Sequence, residues 1–261
     1  MQERIIDLNC DMGESFGAYR LGIDESLLPY ITSANIACGF HAGDAAVMRK
    51  TVQACKAYNV AIGAHPGLPD LSGFGRRVMQ ITPDEAYEMV VYQIGALMGF
   101  VHSENAELRH VKPHGALYNM AASDKVLAEA IAEAVYRVDS RLILFGLAGS
   151  ELTQAGIRRG LLVAEEAFAD RTYRMDGTLT PRSEDNAVLH DSADAAEQTA
   201  LMVKDGMVWT SDGGSILIAP DTVCIHGDSP HALEFAMAVR QRLEQEGVVV
   251  RAPDLRPFSS R

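Results

Sequence analysis

Seven short β-type segments recur along the 261 residues, and amphipathic helical patterns fill most of the intervals between them. The strand candidates are Ile5 to Asp11, Ile31 to Cys38, Val60 to Ala64, Leu108 to Lys112, Leu142 to Leu147, Leu161 to Glu166 and Thr222 to His226. Strands joined through helices run parallel, because each crossover carries the chain back to the end of the sheet where it began. Polar stretches punctuated by Gly or Pro follow most of these strands, whereas an open doubly wound sheet gathers its ligands at one switch point. The expected fold is therefore α/β, an incomplete (βα)7 TIM-like barrel, with residues 1–261 as one domain. A small hairpin near 207–218, turning at Asp212-Gly213-Gly214, is expected before the last barrel strand.

Local signals place several helices. Thr82, Pro83 and Glu85 make a capping box with proline at the first helical position, and the helix should run to about Phe100. Its apolar stripe is Ala86, Val90, Ile94 and Leu97. Ser123, Ser150, Ser192 and Ser229-Pro230 mark further starts, and Gly160, Gly206 and Gly247 mark stops. The opening strand alternates Asp7, Asn9 and Asp11 on one face with Ile6, Leu8 and Cys10 on the other. The outer face of a barrel packs on helices, so the polar set should point inward. There it must be hydrogen-bonded, charge-paired or metal-bound. Ala61, Gly63 and His65 share a face of the third strand and leave room beside it.

The net charge of −12 argues against nucleic acid or an anionic membrane as the main partner. No apolar run approaches the roughly 18 residues that span a bilayer. The cysteines, Cys10, Cys38, Cys55 and Cys224, form no CxxC pair. A reduced, cytoplasmic protein is expected, its thiols serving as small buried hydrophobes.

Four of the eight histidines follow strands: His41 in CGFHAGD, His65 in GAHPG, His114 in KPHGALYN and His226 in IHGDSP. In a barrel those loops converge on one rim, the place of the active site. Asp11, His41 and His65 are candidate metal ligands, with Asp44, His114 and His226 nearby. The plainer alternative is that each histidine donates to a carbonyl and orders its loop. Among the carboxylates, Asp11, Glu14, Glu166, Asp170 and Asp228 could supply an acid and a base. Asp44, Asp170 and Asp228 also stand where helix caps belong. Lys112 shares a face with His114. Arg76 and Arg77 follow the Gly-rich stretch from Gly67 to Gly75, and Arg171 and Arg182 flank another loop. Arg77 or Arg171 is the expected clamp for a carboxylate or phosphate. The catalytic candidates are thus Asp11, His41, His65, Lys112, His114 and Glu166. The substrate-binding candidates are Asn9, Glu14, Arg77, Asp170, Arg171 and His226. Neither GxxxxGK[ST] nor a post-strand GxGxxG occurs, so any nucleotide is bound in another way or by another chain.

Longer blocks carry a resemblance: DLNCDMGE at Asp7 to Glu14, ANIACGFHAGD at Ala34 to Asp44 and GAHPGLPDLSGFGRR at Gly63 to Arg77. VKPHGALYN, EAFADRTY, TPR and CIHGDSP follow in order, at Val111, Glu166, Thr180 and Cys224. The chain resembles the LamB/YcsF family, the A subunits of 5-oxoprolinase. The resemblance implies a barrel of the glycoside hydrolase/deacetylase type and a bacterial enzyme with two other subunits, B and C. That enzyme opens 5-oxo-L-proline to L-glutamate while hydrolysing ATP, supplied with Mg2+, to ADP and phosphate. Two other readings stay open. One is a metal-dependent deacetylase or amidohydrolase that needs no ATP; the other is a non-catalytic, substrate-binding scaffold.

Overall fold

The computed structural model describes residues 4–227 and 231–254. Strand β1 (Ile5–Met12) leads through the short helix α1 (Asp24–Leu27) to β2 (Ser33–Ala37). Helix α2 (Ala45–Tyr58) then precedes β3 (Ala61–His65), and α3 (Pro83–Ser103) precedes β4 (Leu108–Val111). Next come α4 (Gly115–Ser123), α5 (Lys125–Val138), β5 (Ile143–Leu147), α6 (Glu151–Arg159) and β6 (Leu162–Phe168). The chain continues with α7 (Ser192–Asp205) and the antiparallel hairpin of β7 (Met207–Trp209) and β8 (Ser215–Leu217). It then forms β9 (Thr222–Ile225), α8 (Ala232–Gln245) and β10 (Val249–Val250).

Strands β1 to β6 pair in sequence order, β9 pairs with β6, and β9 also pairs with β1. The register Asp7↔Thr222 to Cys10↔Ile225 closes the ring, so seven parallel strands form a barrel. Each expected strand is present, and β7 and β8 form a separate two-stranded sheet outside the ring. Strand β10, which no sequence signal marks, extends the N-terminal end of β1 at Ile5↔Val249.

Local chemistry explains the helices. Thr82 caps α3 in a reciprocal box with Glu85, and Ser150 caps α6. One start is corrected. Ser123 ends α4, and Asp124 caps α5 by accepting from the amides of Val126 and Leu127. The KPHGALYN stretch reads as a turn, but Gly115 opens α4 with His114 at its N-cap. Asp191, not Ser192, caps α7. Ser229, Pro230 and Asp228 lie outside the described residues.

The alternation of β1 sorts its two faces. Ile6, Leu8, Cys10 and Met12 are buried in the apolar layer beneath the helices. Asp7, Asn9 and Asp11 enter the barrel interior and meet polar groups from β2, β3, β6 and β9 and from Lys112, just past β4. Deepest is Asp7, which accepts from Thr32 Oγ1 at 2.6 Å, Ser33 Oγ at 2.8 Å and Thr222 Oγ1 at 2.6 Å. Gly63 is required by a close approach: a Cβ there would stand 2.0 Å from His110 Nε2. The room expected beside the small residues of β3 is filled by that imidazole, which stacks on Phe145 with centroids 4.2 Å apart.

Candidate active site

The site rises from the barrel interior in layers. Above Asp7, Asn9 Nδ2 donates to Glu166 Oε1 and to Thr222 Oγ1, both at 2.8 Å. Asn35 Nδ2 donates to Asn9 Oδ1 at 2.7 Å and to Asp11 Oδ1 at 2.8 Å. His110 Nε2 lies 2.8 Å from Asn35 Oδ1 and supplies the proton there, because a carbonyl oxygen only accepts. Burial, followed by the nearby charge of Lys112, lowers this imidazole to about 3, so it remains neutral.

The next layer centres on Lys112, just past the end of β4 and 2 % exposed. Its ammonium lies 2.8 Å from Glu166 Oε1, 3.1 Å from Asp11 Oδ1, 3.2 Å from Asn9 Oδ1 and 3.1 Å from Cys224 Sγ. Burial alone would favour the neutral amine, but Asp11, Cys224 and Glu166 outweigh it and hold Lys112 well above its ordinary value. Burial likewise opposes ionised Asp11, but the adjacent His65 and Lys112 more than compensate and hold it well below its ordinary value. The result is a lysine cation between two carboxylates, with Tyr118 donating to Glu166 Oε2 at 2.7 Å.

At the rim, His65 Nδ1 lies 2.7 Å from the Lys112 carbonyl and His114 Nε2 lies 2.8 Å from the Phe74 carbonyl. Both nitrogens must carry protons. The two remaining nitrogens, His65 Nε2 and His114 Nδ1, then face each other at 2.9 Å. Two lone pairs cannot do so unaided, so a proton or a metal cation must lie between them. Asp11 Oδ2 is 3.3 Å from His65 Nε2. His41 is fully buried, and neither of its ring nitrogens has a hydrogen-bond partner. Burial first, and then the neighbouring imidazoles of His114 and His65, hold His41 well below its ordinary value. Gly67 allows this packing, since a Cβ would stand 2.4 Å from His41 Nδ1.

Glu14, His41, His65 and His114 bring four potential ligand atoms within 4.8 Å of one another. This buried cluster can hold a metal ion, and its nitrogen-rich donor set suits zinc or a similar ion. Carbonyls fix the outer nitrogens of His65 and His114, the usual way of orienting ligating imidazoles. One feature fits less well. The rings of His41 and His114 are stacked 3.8 Å apart at 4°, so both can point at one ion only if a ring turns. The expected ligand set of Asp11, His41 and His65 is thus altered. Glu14 and His114 join the two histidines, while Asp11 groups with Cys224 and His226.

Above these layers opens a cavity of about 430 Å³. Asp11, His65, Lys112 and His114 line its floor, Phe168 and His226 one wall, and Arg76, Arg171 and Arg182 are further lining groups. Several expectations are revised here. Arg77 does not line the cavity; it pairs with Asp70, donates to Ser72 Oγ at 2.7 Å and is largely exposed. Arg76 lines the cavity instead, its guanidinium 4.9 Å from the Phe74 ring centroid. Glu166 and Asn9 are fully buried beneath the cavity and bind Lys112. Asp170 caps no helix; both its oxygens accept from His226 Nδ1, at 2.8 and 2.9 Å. Asp44 is a cap, accepting from the Val47 amide, and its other oxygen accepts from the Gly17 amide. Arg171 is buried, donates to the Thr180 and Ala187 carbonyls, and is lowered to about 10 by burial and then by Arg182.

Asn35, His110 and Tyr118 belong to the same network but were not among the candidate site residues. Two signals could have found some of them. Alternation along β2 places Ser33 and Asn35 on one face. Tyr118 follows His114 by four residues, one helical turn, once α4 is recognised.

The chain is 60% identical to the 5-oxoprolinase A subunit of Brevibacillus brevis over 249 residues, 95% of this chain and 98% of that protein. Its structure superposes on the crystal structure of a lactam utilization protein from Thermus thermophilus with a TM-score of 0.90 and 48% identity. That match covers 95% of this chain and 99% of the other. The catalytic domain of a peptidoglycan N-acetylglucosamine deacetylase from Eubacterium rectale shares the fold alone, with a TM-score of 0.51 and 10% identity over 100% of this chain and 93% of that one. The family model described as "LamB/YcsF family" matches residues 6–256, and the chain belongs to that family.

Proposed function

We propose that this chain is the ring-opening A subunit of an ATP-dependent 5-oxoprolinase. The complex would convert 5-oxo-L-proline to L-glutamate while ATP, supplied with Mg2+, becomes ADP and phosphate. The observation that carries this reading is the lysine cation held between Asp11 and Glu166 beneath a cavity lined by three arginines. The cavity lies within the roughly 300–1,000 Å³ of small-molecule sites. The names of the relatives support the lactam as substrate.

A lactam is a resonance-stabilised amide with a poor leaving group. Phosphorylating its oxygen makes the ring carbon a better electrophile. In this reading that step belongs to partner subunits B and C, with their nucleotide. The roles on this chain follow from position. Arg76 and Arg182 bind the substrate carboxylate and phosphoryl oxygens. Lys112 places a fixed positive charge under the developing oxyanion. Asp11, held ionised, presents Oδ2 toward the cavity and orients the attacking water. Glu166 and Asn9 fix Lys112, and His65, itself held by His114, fixes Asp11. A divalent ion held by Glu14, His65 and His114 would supply Lewis-acid polarisation of the same oxygen. The cysteines, all free and buried, suit a reducing cytoplasm. Among the described residues no helix is long and apolar enough to cross a membrane.

The test is reconstitution with the partner subunits, omitting each in turn and measuring ADP and glutamate. Glutamate should require every subunit and ATP, and Asp11→Asn should abolish it. Full turnover by this chain alone, or turnover without ATP, would remove the proposal.

A further inference from the structure

We propose that His226, oriented by Asp170, is the catalytic acid that protonates the lactam nitrogen, and that this proton decides whether ATP hydrolysis yields glutamate or merely returns the lactam. The inference rests on the ring-opening function proposed above.

Elimination points to His226. A general acid must present a transferable proton to the cavity. Among the described residues, His65 and His114 direct their ring nitrogens at carbonyls, at Asp11 and at each other. The Lys112 ammonium is surrounded by four acceptors. Tyr118 donates to Glu166. The arginines hold their protons too tightly to transfer them. His226 differs. Its Nδ1 donates to both oxygens of Asp170, and among the described residues nothing hydrogen-bonds its Nε2. The ring lines the cavity, stacks on Phe168 with centroids 5.5 Å apart at 19°, and has a nitrogen within 4.8 Å of Asp11 and Cys224. Asp170 does not reach the cavity and is a positioning residue. Burial opposes its charge, but His226, Arg182 and Arg171 keep it ionised. An ionised carboxylate on Nδ1 fixes the orientation of the ring, so that the Nε2–H of a doubly protonated imidazole faces the substrate.

The chemistry shows what this proton decides. Transfer of the γ-phosphoryl group to the lactam oxygen, with loss of the ring N–H proton, gives a cyclic imidoyl phosphate. Water adds across its C=N bond, oxygen to carbon and a proton to nitrogen. The tetrahedral carbon then carries a hydroxyl, a phosphate and the ring nitrogen. If the C–O bond to phosphate breaks, phosphate departs, the lactam re-forms, and ATP has been hydrolysed to no effect. If the C–N bond breaks, the hydroxyl releases its proton to solvent and becomes the carbonyl, while the nitrogen takes the electron pair together with a proton from His226 Nε2. The product is an open-chain acyl phosphate, which a second water converts to glutamate and phosphate. Phosphate is intrinsically the better leaving group, so protonation of nitrogen must reverse that preference.

The experiment uses the reconstituted complex with 5-oxoproline and ATP in 18O-labelled water, comparing wild type, His226→Gln and Asp170→Asn. The readouts are ADP formed per glutamate and 18O in the recovered lactam. Return by phosphate loss leaves a water-derived oxygen in the lactam. Wild type should give a ratio near unity, and His226→Gln should raise it by about tenfold or more, with labelled lactam. Asp170→Asn should shift it in the same direction by less. If His226→Gln does not fold or assemble, Asp170→Asn decides the matter. A ratio that stays near unity in a folded variant, whatever its rate, overturns the inference. A wild-type complex that forms no lactam-dependent ADP overturns the underlying function instead.

Discussion

Lys112 and Glu166 form an ion pair of 2.8 Å inside the barrel, with side chains only 3 % and 0 % exposed. A buried pair of this kind gives little net stability over an apolar pair, but removing one partner strands the other. Lys112→Ala leaves two carboxylates facing each other without their cation. It should destabilise the chain by about 3–5 kcal/mol in urea unfolding and abolish glutamate formation. The double variant Lys112→Met/Glu166→Gln should recover much of the stability and none of the activity. Equal stability of wild type and Lys112→Ala would contradict the ion-pair account.

Asp7 provides a pH test. Burial pushes its carboxyl up to about 6, against the lowering effect of the Thr222, Thr32 and Ser33 hydroxyls. The folded chain therefore holds this proton more tightly than the unfolded chain. The resulting stability is fully present below about pH 4 and is lost as pH rises through about 6. Between about pH 5 and 7.5, wild type should lose about 1 kcal/mol more than Asp7→Asn in paired urea titrations. Parallel curves for the two proteins would show that Asp7 does not titrate in this range.

The two adjacent arginines should behave differently. Arg76 lines the cavity, whereas Arg77 is bound to Asp70 beside it. Arg76→Ala should raise KM for 5-oxoproline in the complex by about tenfold or more, the cost of one charge-assisted contact. Arg77→Ala should leave KM close to wild type. The opposite pattern would return the clamp to Arg77.

Metal binding can be read without turnover. Chelator-treated chain titrated with Zn2+ should take up one ion in a calorimeter. At a hundredfold excess over Kd, the ion should add about 2.7 kcal/mol of stability. His114→Ala should remove both effects, and Asp11→Asn, outside the cluster, should reduce them less. Identical titrations for wild type and His114→Ala would rule out the cluster as a metal site.

Much of the scaffold was readable in advance because its signals are local. Thr82 and Glu85 announce α3 by reciprocal capping within one turn. Asp7, Asn9 and Asp11 alternate with Ile6, Leu8 and Cys10, and the barrel sorted those faces as alternation requires. The α4 helix was missed because its stretch from Pro113 to Gly115 reads as a turn, and only the fold shows the chain continuing as a helix after it. For the site, proximity to the rim was legible and individual partnerships were not. Nothing in GFGRR distinguishes Arg76 from Arg77.

By itself the sequence determined the seven-strand framework and the inward polar face of β1, because helix and strand periodicities follow from the backbone geometry of a few neighbouring residues. Tertiary structure decided the pairings. Asp70 captured Arg77 and left Arg76 to the cavity, Glu14 joined the three histidines, and Asp170 met His226 across 56 positions of chain. Such choices depend on how far side chains reach across a closed ring, a distance that exists only once β9 has paired with β1.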